Sequence, residues 1–357
     1  MWRSQAWLSE VLKALASVLA ALAVGALVIR FSGQDPIATY TILFQQALVG
    51  RRALAETLLS ATPLLFTGLA TAVAFRAGVF NVGVEGSLYL GGFAAVWVGF
   101  TFTQLGAWAL LPWALAAAGV VGALWGLIPG LLKAYVRVDE IVSTIMLNYV
   151  AILFTSYLVN YPFKLPGTAN SMTAQVVSAA RLPRLVQGSQ LHLGFVLGLV
   201  LVAIIYLLLY HTTTGLSIRT VGSSSRFARY AGIDLQRTIV MVMLLSGLIG
   251  GLAGASQILG LHYRFFDRFS PGYGFDGIAV ALLGRNHPLG VLLAALLFGA
   301  LRNGGSLLEL FSEVPRDLIN VLQATIILIL AAEFTWGRIA RRRAQLQAAS
   351  QEVPHAP

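Results

Sequence analysis

Two short stretches place carboxylates, amides and glycines between long apolar runs. In FRAGVFNVGVEG, residues 75–86, Asn81 brings an amide donor and acceptor, and Glu85-Gly86 immediately precedes an apolar segment. A carboxylate there sits near a helix N-terminus, where the dipole favours negative charge. Two chemistries fit. Glu85 can cap its helix and pair with Arg76 as structural glue, or Glu85 and Asn81 can form a polar constriction on a solute path. Gly78, Gly83 and Gly86 support the helix break, which at membrane depth is tolerated only inside protein or beside water.

The second stretch, SPGYGFDGIAVALLGRNHPLG (270–290), repeats the pattern: glycines, the acid-Gly pair Asp276-Gly277, then a short apolar run ending at Gly284. Only eight charge-free residues separate Asp276 from Arg285. They span about 12 Å as a helix, well short of a hydrocarbon core of roughly 30 Å. Residues 274–302 are therefore expected as a re-entrant hairpin or two half-helices. Paired, Gly-interrupted short segments in two halves of a chain point to a transporter's central pathway.

A third stretch, HTTTGLSIRTVGSSSRFARYAGI (211–233), follows a helix end. Ser224 or Ser225 can cap a short helix at about 225–231, carrying Arg226 and Arg229 on one side and Phe227, Ala228 and Ala231 elsewhere. It is either an ordinary basic loop or a small helix suited to docking in another protein's groove, where arginines meet acidic rims. Enzyme chemistry has no foothold. The chain has no cysteine, its five histidines lack metal-ligand spacing, and there is no P-loop, GxSxG or HExxH. No metal site, resident cofactor or ATPase site of its own is expected.

The elements that must position these residues are membrane helices. Of 357 residues, 57% are hydrophobic and only 11% charged, with a mean hydropathy of +0.79, against about 25% charged in soluble domains. Open sheet edges cannot face lipid, so the expected class is all-α and polytopic, with about 8–10 transmembrane helices and broken or re-entrant segments. The apolar runs place helices at about 11–31, 57–75, 86–103, 107–132, 140–160, 192–210 and 238–260. A broken pair follows at 274–284 and 288–302, then a last helix at about 316–335. One membrane domain, 1–337, and a polar tail, 338–357, account for the chain. The first helix reads as retained rather than as a cleaved signal peptide, because several spans follow it.

The net charge of +10, 21 of the 24 basic residues being arginine, lies mostly between apolar runs. That pattern fits orientation in an anionic bilayer and argues against nucleic acid. With the N-terminus taken as cytoplasmic, RIARRR (338–343), directly after the last helix, fits a cytoplasmic C-terminus as well.

FRAGVFNVGVEGSLYLGGFAA (75–95), VDEIVSTIMLNYVA (138–151), GLSIRTVGSSSRFARYAGI (215–233) and GYGFDGIAVALLGRNHPLG (272–290) closely resemble the permease subunits of ABC importers for ribose, galactose and nucleosides. The order and spacing match from about residue 10 to 335, and the extended first half is similar to the larger of the two nucleoside permeases. The resemblance implies a bacterial inner-membrane pore subunit paired with a second, similar permease as a heterodimer. It further implies an ABC ATP-binding subunit that consumes the ATP, and an extracytoplasmic substrate-binding lipoprotein. By the same resemblance, Asn81, Glu85, Asn148 and Asp276 match polar positions near the translocation path. Gly215, Arg219, Gly222, Arg226, Phe227, Arg229, Ala231 and Gly232 fall in the segment that contacts the ATPase. Few charges along the path suit a neutral, hydroxyl-rich, nucleoside-like solute. A simple sugar in the same role is the alternative, and an ion-coupled secondary transporter using Glu85 or Asp276 is the reading from another class.

Overall fold

A computed structural model describes residues 19–20, 22–31 and 33–311, with isolated positions beyond them. The helix expected at 316–335, the tail and most of the first helix lie outside the described residues. Among those described, the chain is helical without strands, apart from two isolated bridges, Met172 with Phe266 and Arg184 with His192. Its contacts group it into two compact units, one of residues 44–304 and one of 1–43 with 305–357.

The helices are α1 (Leu22–Phe31), α2 (Pro36–Leu48), α3 (Arg51–Arg76), α4 (Val84–Thr101), α5 (Ala107–Leu131), α6 (Glu140–Asn160) and α7 (Gly194–His211). They continue with α8 (Thr213–Ser223), α9 (Ser225–Tyr230), α10 (Leu235–Gln257), α11 (Tyr273–Leu283) and α12 (Pro288–Phe311). Six helical stretches are long and apolar enough to cross a membrane: 51–76, 107–136, 140–160, 194–211, 235–262 and 288–306. α11, at 11 residues, is about 16 Å long and cannot cross. Helices α2 and α8 were not expected; at 13 and 11 residues neither offers an apolar run of membrane length.

In the smaller unit, the Tyr40 hydroxyl donates to the Leu22 carbonyl (2.7 Å), tying α2 to α1. The larger unit is built around α10, which packs against α3, α4 and α5. The α5–α10 seam is lined by small residues, with Ala118, Gly122 and Gly126 facing Met243, Gly247 and Gly251. Added methyl groups would strike backbone there, the close helix approach that small residues permit where lipid supplies no hydrophobic drive. Both α5 and α10 end in a π-helical turn, Leu132–Val136 and Ile258–His262, followed by left-handed Arg137 and Tyr263. On the faces away from this seam, α6 exposes Met146, Tyr149, Leu153, Phe154 and Tyr157.

Candidate functional site

The α3–α4 break is built by backbone rules first. At the end of α3 the Val79 amide donates to Ala74 (3.1 Å) and the Gly78 amide to Phe75 (3.0 Å). This is the pattern of a helix stop whose left-handed residue is normally glycine, and Gly78 has φ +74°. Buried amides then fix the loop. Asn81 Oδ1 accepts from the Gly83 amide (2.7 Å), and its Nδ2 donates to Ser246 Oγ on α10 (2.8 Å). Ser246 in turn donates to the Ala70 carbonyl of α3 (2.7 Å). Asn148 on α6 spans the entry to α4, accepting from the Gly86 amide (2.8 Å) and donating to the Val82 carbonyl (2.9 Å). These bonds satisfy groups that a helix start would otherwise leave orphaned.

Glu85 joins the two acid-Gly elements. Its carboxylate lies in the first turn of α4, and Oε2 accepts from the Gly274 amide in the first turn of α11 (2.5 Å). Ser270 Oγ accepts from the Gly272 and Tyr273 amides (3.2 Å each), completing that helix start. A Cβ at Gly274 would collide with the Glu85 backbone, so the first glycine of GFDG's helix is set by close approach. Asn81, Glu85 and Asn148 are only 1–2% exposed, and each has its partners within this chain.

The Arg76–Glu85 pair, one of the two arrangements the sequence allowed, does not form. Arg76 instead reaches the α11–α12 turn, with Nε donating to the Asn286 carbonyl (2.7 Å) and Nη2 to the Arg285 carbonyl (3.4 Å) and the Tyr210 hydroxyl (3.0 Å). These carbonyls lie in the turn just past the C-terminus of α11, where the helix dipole favours a cation. Arg285 and Asn286 are both left-handed, with φ of 52° and 54°, a costly conformation for residues with a Cβ. Arg76 therefore braces a strained turn 209 and 210 residues away in sequence.

Asp276 stands apart from the amide cluster. It pairs with Arg302 Nη2 of α12 (2.7 Å), the two side chains being 24% and 25% exposed. The Arg302 guanidinium also lies over the Tyr273 ring, 4.8 Å from its centroid, while its Nη1 has no hydrogen-bond partner. Gly277 packs on Thr67 of α3, where a Cβ would come within 2.7 Å.

At the other candidate site, Ser224 caps α9, its Oγ accepting from the Phe227 amide (3.2 Å). Ala228 is fully buried, whereas Arg226, Phe227, Arg229, Tyr230, Ala231 and Gly232 are exposed. This short basic helix leaves 63% of Phe227 and 86% of Tyr230 uncovered beside its arginines. α8 beneath it is seated closely. Gly215 lies against the Leu208 and Leu209 carbonyls, Gly222 lies against the Arg76 carbonyl, and Arg219 faces the Tyr210 ring at 5.2 Å.

Residues 53–331 match the family described as the permease component of the branched-chain amino acid transport system. The chain belongs to this permease family. The permease is 38% identical over 347 residues to the guanosine ABC transporter permease protein NupP of Bacillus subtilis, covering 94% of this chain and 99% of that protein. It is 39% identical over 336 residues to the glucose ABC transporter permease protein TsgB13 of Haloferax volcanii (91% and 88%). It is also 33% identical over 296 residues to a second guanosine permease protein of Bacillus subtilis, NupQ (77% and 89%). The permease is thus a multi-pass membrane protein of an ABC transport family.

Several residues at these sites carried no signal in sequence reasoning. Ser246 and Ser270 look like ordinary small residues, and Tyr210 closes an apolar helix. Arg302 did carry one, as the charge that interrupts α12 directly after its apolar run 288–301. Gln257, the last residue of α10, is 1% exposed with both amide atoms unpartnered. An amide within an apolar helix is a detectable signal too.

Proposed function

We propose that the permease forms, with a second permease of similar sequence, the translocation path of an importer for a nucleoside-like solute, driven by an ABC ATPase. The observation that carries this reading is the end-to-end similarity to a guanosine permease, which spans 99% of that protein. Bacillus subtilis has two distinct guanosine permease proteins, both similar to this chain, which supports a heterodimeric partner. The similarity to a glucose permease favours a sugar as the second reading of the solute.

In this reading the exposed face of α9 docks the ATPase at the cytoplasmic surface, placing both termini in the cytoplasm of a bacterial inner membrane. An extracytoplasmic lipoprotein delivers the solute. The conduit needs only weak polar contacts, because selectivity resides in the delivery protein. The amide and carboxylate cluster of Asn81, Glu85 and Asn148 shapes the wall of the path. Asp276 and Arg302, an ion pair whose side chains are each about a quarter exposed, contact the solute.

The solute class is tested with the purified delivery lipoprotein by competition between guanosine and glucose. Preference for guanosine supports the nucleoside reading, and preference for glucose replaces it with the sugar reading. Docking is tested by Arg226→Glu with Arg229→Glu, which removes ATPase co-purification and uptake together; retained co-purification counts against the assignment.

A further inference from the structure

We propose that Tyr210 is the positioning residue that carries movement of α8 and α9 to both the α3–α4 break and the α11–α12 turn. The proposal rests on the reading of 215–233 as the ATPase-docking segment. Four separate pieces of chain meet at this one side chain. The Tyr210 hydroxyl accepts from Arg76 Nη2 at 3.0 Å, and the Arg76 guanidinium lies 5.9 Å from the ring centroid. Arg219, on α8, faces the same ring at 5.2 Å. The His287 ring, in the α11–α12 turn, lies 5.2 Å away at 40°. Tyr210 itself ends α7, one turn after Tyr206, which also packs on it and on His287.

The backbone around this node leaves little slack. Gly222 of α8 lies so close to the Arg76 carbonyl that no side chain fits, and Gly215 is equally close to the end of α7. A displacement of α8 towards the end of α3 therefore pushes on the Arg76 backbone. Arg76 in turn holds the carbonyls of Arg285 and Asn286, two consecutive left-handed residues. Strained, side-chain-braced turns of this kind have an alternative conformation available once the brace moves. Interiors packed glycine against backbone transmit displacement rather than absorb it. The contacts at Tyr210 differ from those of the glycine seams. They are polar and ring-to-cation contacts between partly exposed side chains, so they can break and re-form without unfolding a helix.

The test uses the complete complex of both permeases, ATPase and delivery protein in proteoliposomes, with Tyr210→Phe and Tyr210→Leu. Three quantities are read: ATPase co-purification, ATP hydrolysis, and solute moved per ATP. Tyr210→Phe keeps the ring and loses one hydrogen bond to a charged group; we expect normal co-purification and hydrolysis with about a tenfold fall in solute moved per ATP. Tyr210→Leu, which also removes the ring from Arg219 and His287, lowers that ratio further. An unchanged ratio in Tyr210→Phe overturns the proposal, as does a parallel fall of hydrolysis and transport at constant ratio. Should Tyr210→Leu fail to assemble, Tyr210→Phe alone decides. The docking reading fails separately, if Arg226→Glu with Arg229→Glu leaves the ATPase bound.

Discussion

Replacing Glu85 separates a wall of the path from a contact in it. Its Oε2 accepts the Gly274 amide at 2.5 Å while its carboxylate sits at the N-terminal turns of both α4 and α11. Glu85→Ala leaves that amide buried without an acceptor and removes charge from two helix starts, costing about 2–4 kcal/mol. Glu85→Gln keeps an oxygen in place and loses only the charge-dependent part, about 1 kcal/mol. In the purified complex the alanine variant should unfold about 5 °C lower, with the glutamine variant close to the parent. Uptake by Glu85→Gln should stay near the parent level, because the carboxylate works on backbone amides rather than on solute. Loss of uptake by Glu85→Gln at an unchanged unfolding midpoint would refute the reasoning and place the carboxylate in contact with the solute.

Three further outcomes follow from the same geometry. Asp276→Asn weakens a partly exposed pair, costing about 1 kcal/mol, so assembly should hold while uptake falls severalfold; unchanged uptake moves the solute contact elsewhere. Gln257→Leu removes two unpartnered buried polar atoms and should raise the unfolding midpoint, since such groups cost about 1–3 kcal/mol; a lower midpoint would mean the amide is paired in the assembled complex. His192, before α7 and outside the six membrane-length stretches, is fully buried beside Gly194 and Gly260, and burial pushes its pKa down to about 4. The unfolded chain takes up that proton first, so the stability from neutral His192 is complete above about pH 6.5 and is lost as pH falls towards 4. His192→Gln should flatten the midpoint's pH dependence over this window, and an equally steep dependence in the variant would assign it to other groups.

The long helices were legible because lipid leaves a chain little choice: apolar runs at 107–132, 140–160 and 238–260 correspond to helices of nearly the same bounds. The short α11 was legible from the distance between Asp276 and Arg285, and the Ser224 cap from the serines before RFARY. What sequence could not give was partner choice across the fold. Arg76 lies nine residues from Glu85, yet it bonds to carbonyls more than 200 residues away because that turn ends a helix. Glu85 likewise meets an amide 189 residues distant. Such pairings depend on how α3, α4 and α11 pack, and local spacing does not encode them. The helices α2 and α8 escaped for the opposite reason, being too short to present an apolar run of membrane length.

The central claim is ATP-driven passage of a nucleoside-like solute through a path to which this permease contributes. Its most direct test is uptake of labelled guanosine into proteoliposomes holding this permease, its partner permease and the ATPase, with the delivery protein outside and ATP inside. Uptake should require ATP and all four proteins, and no ion gradient. Uptake by this permease alone, driven by a proton or sodium gradient and indifferent to the ATPase, would contradict it.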